Sequence, residues 1–221
     1  MSPRIMFEQE LEVLKNKVAE MGERAILSYD RLLYAVKAMD RETMRQLLDN
    51  DRQMIDMLRS IEARCLTLLT RQQPVARDLR VVSASLKVVT DIERIGDHVS
   101  DMAELFLRME GGTDFMHEEP VVTEMMNETR EMLHMAVEAF VQGNTDLARK
   151  VIDRDDVVDD YFNRVKDGMM EAIRSHTPFA EREVDKLMIG KYLEKIGDHA
   201  VNMGEWAIFQ KTGDIQDVRL L

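Results

Sequence analysis

Apolar residues recur along this chain at alternating steps of four and three. Phe7, Leu11, Leu14, Val18, Met21, Ala25, Ser28, Leu32, Ala35 and Met39 form one unbroken run. Leu47, Asp51, Met54, Leu58, Ile61, Cys65 and Leu68 form a second, and Val82, Ser85, Val89, Ile92, Gly96, Val99, Ala103 and Phe106 a third. A mean step of about 3.5 residues keeps one stripe of an α-helix turned toward its neighbours, the seam of antiparallel, coiled-coil-like bundles. Val151, Asp155, Val158, Phe162, Val165, Met169 and Ala172 take up the same pattern farther along.

The pattern returns because the chain is doubled. Residues 93–98 read ERIGDH and residues 194–199 read EKIGDH, an offset of 101. Upstream the offset becomes 104, with Pro74 facing Pro178, Asp51 facing Asp155 and Asp40 facing Asn144. A change of three residues just after the prolines reads as a loop deletion, which surface connections tolerate. Gly111 and Gly112, the only adjacent glycines, followed by Pro120, mark the joint, so the halves are taken as 1–112 and 113–221. Asp40 ahead of Glu42 and Thr43 reads as a helix cap, as does Asn144 after Gly143. Turns are expected at Gln73 with Pro74 and at Thr177 with Pro178. The expectation is an all-α protein made of two tandem antiparallel three-helix bundles related by internal duplication.

Composition agrees with long helices. Only 10 Gly and 4 Pro in 221 residues are too few for the turns of a sandwich or barrel, and 18 Met suit helix interfaces. A net charge of −12 argues against nucleic acid as a partner. Cys65 stands alone, which excludes a disulfide framework and suits a reducing compartment. The N-terminal stretch lacks a signal-peptide core, and no run approaches a membrane span, so a soluble cytoplasmic protein is expected.

Acids interrupt the seams. Asp51 and Asp155 occupy equivalent seam positions, where a carboxylate costs several kcal/mol unless it is paired, hydrogen-bonded or bound to a cation. Glu93 with Asp97, and Glu194 with Asp198, are spaced i, i+4 and share a helix face. Asp51 lies 23 residues before Pro74 and Asp97 lies 23 after it, so a hairpin turning there brings them level. Asp155 and Asp159 lie 23 and 19 residues before Pro178, and Asp198 lies 20 after it. Each half thus presents carboxylates at matched height on neighbouring helices, and Asp101 extends the first row by a turn, opposite Asn202 in the second half. Such oxygen-rich groups suit a hard cation such as magnesium, calcium, manganese or iron. Arg94 and Lys195 sit about 100° around the helix from the neighbouring acids and are expected to point elsewhere, while His98 and His199 flank the aspartates at a similar angle. Gly96 and Gly197, in mid-helix, read as points of close helix packing. Arg71, Arg77 and Arg80 gather around the first turn, a basic patch suited to an acidic partner.

RQQPVARDLR at 71–80, DIERIGDH at 91–98 and YLEKIGDH at 192–199 resemble the PhoU family of phosphate-transport regulators. The likeness spans nearly the whole chain. It implies a cytoplasmic, non-catalytic and often homodimeric accessory protein. Its implied partners are the ATPase subunit of a phosphate ABC transporter and a sensor histidine kinase held inactive when phosphate is plentiful, with membrane association only through those partners. It also implies a divalent or trivalent metal ion, with iron, manganese and magnesium as candidates, at Glu93 with Asp97, Glu194 with Asp198, and Asp155 with Asp159. The first-half counterpart of that last pair is incomplete, because Ile55 follows Asp51 by four. RQQP and RDLR are absent after Pro178, so the halves are expected to have different partners.

Two other classes compete. A carboxylate-bridged metal oxidase would use Glu-x-x-His pairs, but here His follows Glu by five. A metal-free helical scaffold would leave the same acids solvated.

Overall fold

The computed structural model describes residues 3–48, 51–72, 74, 76–109, 115–176, 180–215 and 218–219. The fold is all-α and repeated. The first repeat consists of α1 (Pro3–Ala38), α2 (Arg41–Leu48), α3 (Asp51–Gln72) and α4 (Ala76–Arg108). A short α5 (Phe115–Glu118) leads into α6 (Pro120–Gln142), α7 (Thr145–Asp153), α8 (Asp155–Arg174) and α9 (Ala180–Thr212). Two-residue strands β1 (Asp214–Ile215) and β2 (Val218–Arg219) form a small antiparallel hairpin after α9. The expected joint at Gly111 and Gly112, and the turn residues Gln73, Thr177 and Pro178, lie outside the described residues.

The seams form the core. Every seam residue of α1 from Phe7 to Ala35 is buried, whereas Met39 is exposed in the left-handed region at φ 55°, so the run ends one step early. Asp40 Oδ1 then accepts from the backbone N–H of Glu42 and Thr43, both at 3.1 Å, and starts α2. Gly143, at φ 63°, ends α6, and Asn144 Oδ1 accepts from the Leu147 N–H at 3.1 Å to start α7.

One expectation needs correction. The middle helix of the second bundle is not continuous: α7 gives way to α8 at Arg154, whereas residues 49–50, between α2 and α3, lie outside the described residues. Asp155 is the first residue of α8, and Asp51 the first described residue of α3. No Gly or Pro marks the break at Arg154.

The repeats lie side by side. The most extensive helix contact is α4 on α9, and α1 packs on α6. The α4 and α9 helices run antiparallel, as the cross-contacts Asp91 to His199, His98 to Tyr192 and Arg108 to Asp185 require. α1 approaches α6 closely at Gly22, where a Cβ would stand 2.8 Å from Val137 Cγ1. The Tyr29 hydroxyl, fully buried, donates to the Met126 carbonyl at 2.8 Å across the same contact.

Candidate functional site

In the second repeat, the start of α8 packs on the middle of α9. Gly197 makes room: a Cβ there would lie 3.4 Å from Val158 Cγ1 and 3.5 Å from Asp155 Oδ1. Asp155 therefore rests over the turn that carries Glu194 and Asp198. Its carboxyl is pushed up to about 6, by burial first and then by the like charges of Asp159, Asp198, Asp156 and Glu194. Asp159 is raised as well, by burial and then by Glu194, Asp198 and Asp156, with Lys191 opposing. The structure thus brings Asp155, Asp159, Glu194 and Asp198 into one electrostatic neighbourhood. Asp156 joins them, and the seam pattern alone did not single it out.

The first repeat keeps the same backbone register. Met54, one turn into α3, lies 3.6 Å from the position of a Cβ on Gly96, as its equivalent Val158 lies against Gly197. Asp51 opens α3, but its side chain lies outside the described residues. Glu93 and Asp97 share a half-buried face of α4.

The basic neighbours do not point away. Arg94 Nε is 3.6 Å from Glu93 Oε2, and its Nη1 is 3.2 Å from Asp97 Oδ2. Lys195 Nζ ion-pairs with Asp198 Oδ2 and lies 3.4 Å from Glu194 Oε2, which Lys191 also contacts at 2.6 Å. The Cα directions do diverge, but long side chains reach back along the helix and an i, i+3 partner is within range.

Asp101 belongs to a different group. His98 Nδ1 lies 3.7 Å from Asp101 Oδ2, and the His98 ring stacks on His199 at 5.6 Å and on Tyr192 at 5.4 Å. His199 Nδ1 is 2.9 Å from Asp91 Oδ1, which also accepts from Asn202 Nδ2 at 3.2 Å. Both histidines therefore face the seam between repeats. Burial and then the neighbouring His199 lower the His98 pKa, while burial raises Asp101 and its His98 partner opposes the rise. Asp91 and Tyr192 were not singled out from the sequence, because no periodicity reports which helices of different repeats meet.

As a donor set, the second-repeat carboxylates fit a hard cation: all donors are oxygen, and Asp155 and Asp159 stand among like charges. Among the described residues, no three His, Cys, Asp or Glu side chains already stand around one point at ligand distance. Lys191, Lys195 and Arg94 hold the acids in ion pairs instead.

Among the described residues, no helix is long and apolar enough to cross a membrane. The PhoU domain profile matches twice, over residues 18–106 and 122–207. The chain is 32% identical to the phosphate-specific transport system accessory protein PhoU homolog of Clostridium acetobutylicum, over 97% of this chain and 98% of that one. It is 30% identical to PhoU homolog 1 of Thermotoga maritima, over 96% of this chain and 92% of that one. The crystal structure of PhoU from Pseudomonas aeruginosa superposes with a TM-score of 0.86 at 27% identity, covering 94% of this chain and 100% of that one. With the doubled helical repeat, the paired acids at equivalent positions and these matches, the chain belongs to the PhoU family.

Proposed function

We propose that this protein is an accessory regulator of phosphate transport that acts by contact. It couples the ATPase subunit of a phosphate ABC transporter to a sensor histidine kinase and represses the phosphate-starvation response when phosphate is plentiful. It works as a cytoplasmic homodimer, and the carboxylates of each repeat take up a divalent or trivalent cation. The transport role is supported by the relatives, named as phosphate-specific transport system accessory proteins. The cation is supported by one observation above all: Asp155, its carboxyl pushed up to about 6 by burial first and then by Asp159, Asp198, Asp156 and Glu194, lies against the turn of α9 that carries two of those acids, and a bound ion relieves both costs.

Deleting the gene in its host and following a phosphate-starvation reporter tests the regulatory part. Expression at high phosphate is the expected result, and repression as tight as in the parent strain counts against it. Elemental analysis of protein purified without chelator tests the metal. Metal is expected in the parent chain and at about half that content in an Asp155→Asn, Asp198→Asn double variant, which removes the second-repeat site alone, and equal content in both rejects the assignment.

The ion pairs of Lys191, Lys195 and Arg94 favour a second reading, a metal-free scaffold whose own bases balance its acids. No metal in the parent chain after incubation with iron, manganese or magnesium selects that reading.

A further inference from the structure

At the end of the first bundle where α1 begins, α3 ends and α4 starts, a groove runs between α1 and α3. It has a volume of about 420 Å³ and is lined by Met6, Glu10, Ser60, Arg64, Thr67, Leu68 and Arg71. The α3 positions 60, 64, 67, 68 and 71 fall on one face and span about 16 Å, three helical turns. Leu68 is buried in the floor, while Met6 is 52% exposed beside it, an adaptable apolar side chain left open to water.

Charge around this groove is unusual for a chain with a net charge of −12. The nearby acids are already taken. Arg4 pairs with Glu8 at 2.8 Å and with Asp78 at 2.7 Å, and Arg64 pairs with Glu10. Arg71 at the groove, and Arg77 and Arg80 across the turn, have no carboxylate within 4.0 Å among the described residues. Arg80 Nε is buried without a hydrogen-bond acceptor. The end of the bundle therefore offers a largely polar groove with one exposed apolar side chain, Met6, and a guanidinium unpaired among the described residues, Arg71, with Arg77 at the start of α4.

We infer that this groove docks an acidic amphipathic helix of a partner protein. The apolar residues of that helix cover the exposed Met6, and its carboxylates face Arg71 and Arg77. A concave slot three turns long fits a helix better than a flat lipid surface, and guanidinium groups favour carboxylates by charge-assisted, bidentate bonding. The surface belongs to the first repeat alone, since RQQP and RDLR have no counterpart after Pro178. It stands whether or not the carboxylate groups bind a cation.

Two fluorescent 18-residue helical peptides test the inference, identical in their leucine stripe but flanked in one by Glu and in the other by Lys. Anisotropy titrations would use the full chain and an Arg71→Glu, Arg77→Glu double variant, with far-UV circular dichroism melts confirming that these exposed changes leave the fold intact. The parent chain is expected to bind the Glu peptide at least tenfold more tightly than the Lys peptide, and the double variant is expected to reverse that order. Absent binding, equal affinity for both peptides, or an unchanged preference in the double variant overturns the proposal. Binding to phosphatidylserine vesicles without binding to the Glu peptide overturns it in favour of a lipid surface.

Discussion

His199 of α9 meets Asp91 of α4 across the seam between the two repeats, with Nδ1 2.9 Å from Oδ1. Asn202 donates to the same carboxylate oxygen at 3.2 Å, so one buried acid of the first repeat anchors two side chains of the second. Removing it leaves partly buried donors without an acceptor, which costs more than the hydrogen bond itself contributed. Asp91→Ala is expected to lower stability by about 1–3 kcal/mol in urea unfolding. A change below about 0.5 kcal/mol would mean that the contact contributes nothing specific.

The α1 to α6 contact tolerates less than its sequence suggests. A Cβ on Gly22 would stand 2.8 Å from a methyl of Val137, a stiff side chain on a packed helix. Gly22→Ala is expected to cost about 1–3 kcal/mol, and Val137→Ala in the same chain to recover part of it. Gly168 on α8 has nothing within 4 Å of its would-be Cβ, so Gly168→Ala gains about 0.5–1 kcal/mol from helix propensity. Thermal melts of the set check both signs.

Asp155 sets a pH dependence. Its folded pKa, about 6, lies above the ordinary carboxylate value of 3.8, so the native state binds more protons than the unfolded chain between those limits. Stability of the metal-free protein therefore falls through this group as pH rises from about 4 to about 6, and the penalty is full above that. Allowing for solvent screening of a half-exposed group, Asp155→Asn is expected to raise stability by about 1 kcal/mol at pH 7.5 and by little at pH 4. Urea titrations at the two pH values decide it; an equal gain at both would place the effect elsewhere.

Lys195 competes with any cation at Glu194 and Asp198, because it already bonds both carboxylates. Lys195→Gln is expected to tighten manganese binding at the second repeat severalfold in calorimetric titration, with Asp198→Asn removing that binding event. Weaker binding in Lys195→Gln would show that the ammonium organises the acids rather than occupying them.

The repeated seams were legible because burial imposes a helical period on every residue that faces the core, and Leu14, Met21, Ile61 and Ile92 obey it. The caps Asp40 and Asn144 were legible because capping is a local hydrogen bond between near neighbours. The break before Asp155 was not, since neither Gly nor Pro announces it and the seam runs through it. Reading Arg94 and Lys195 as turned away failed because Cα direction does not limit a side chain with four rotatable bonds.

The sequence by itself determined the helices, their doubling and the level at which the acids stand, because these follow from periodicity and spacing along one chain. Tertiary structure alone decided that α4 lies on α9, that His98 and His199 meet there, and which bases claim which acids. Those outcomes depend on how separate faces dock, and contacts between residues a hundred positions apart leave no period in the chain.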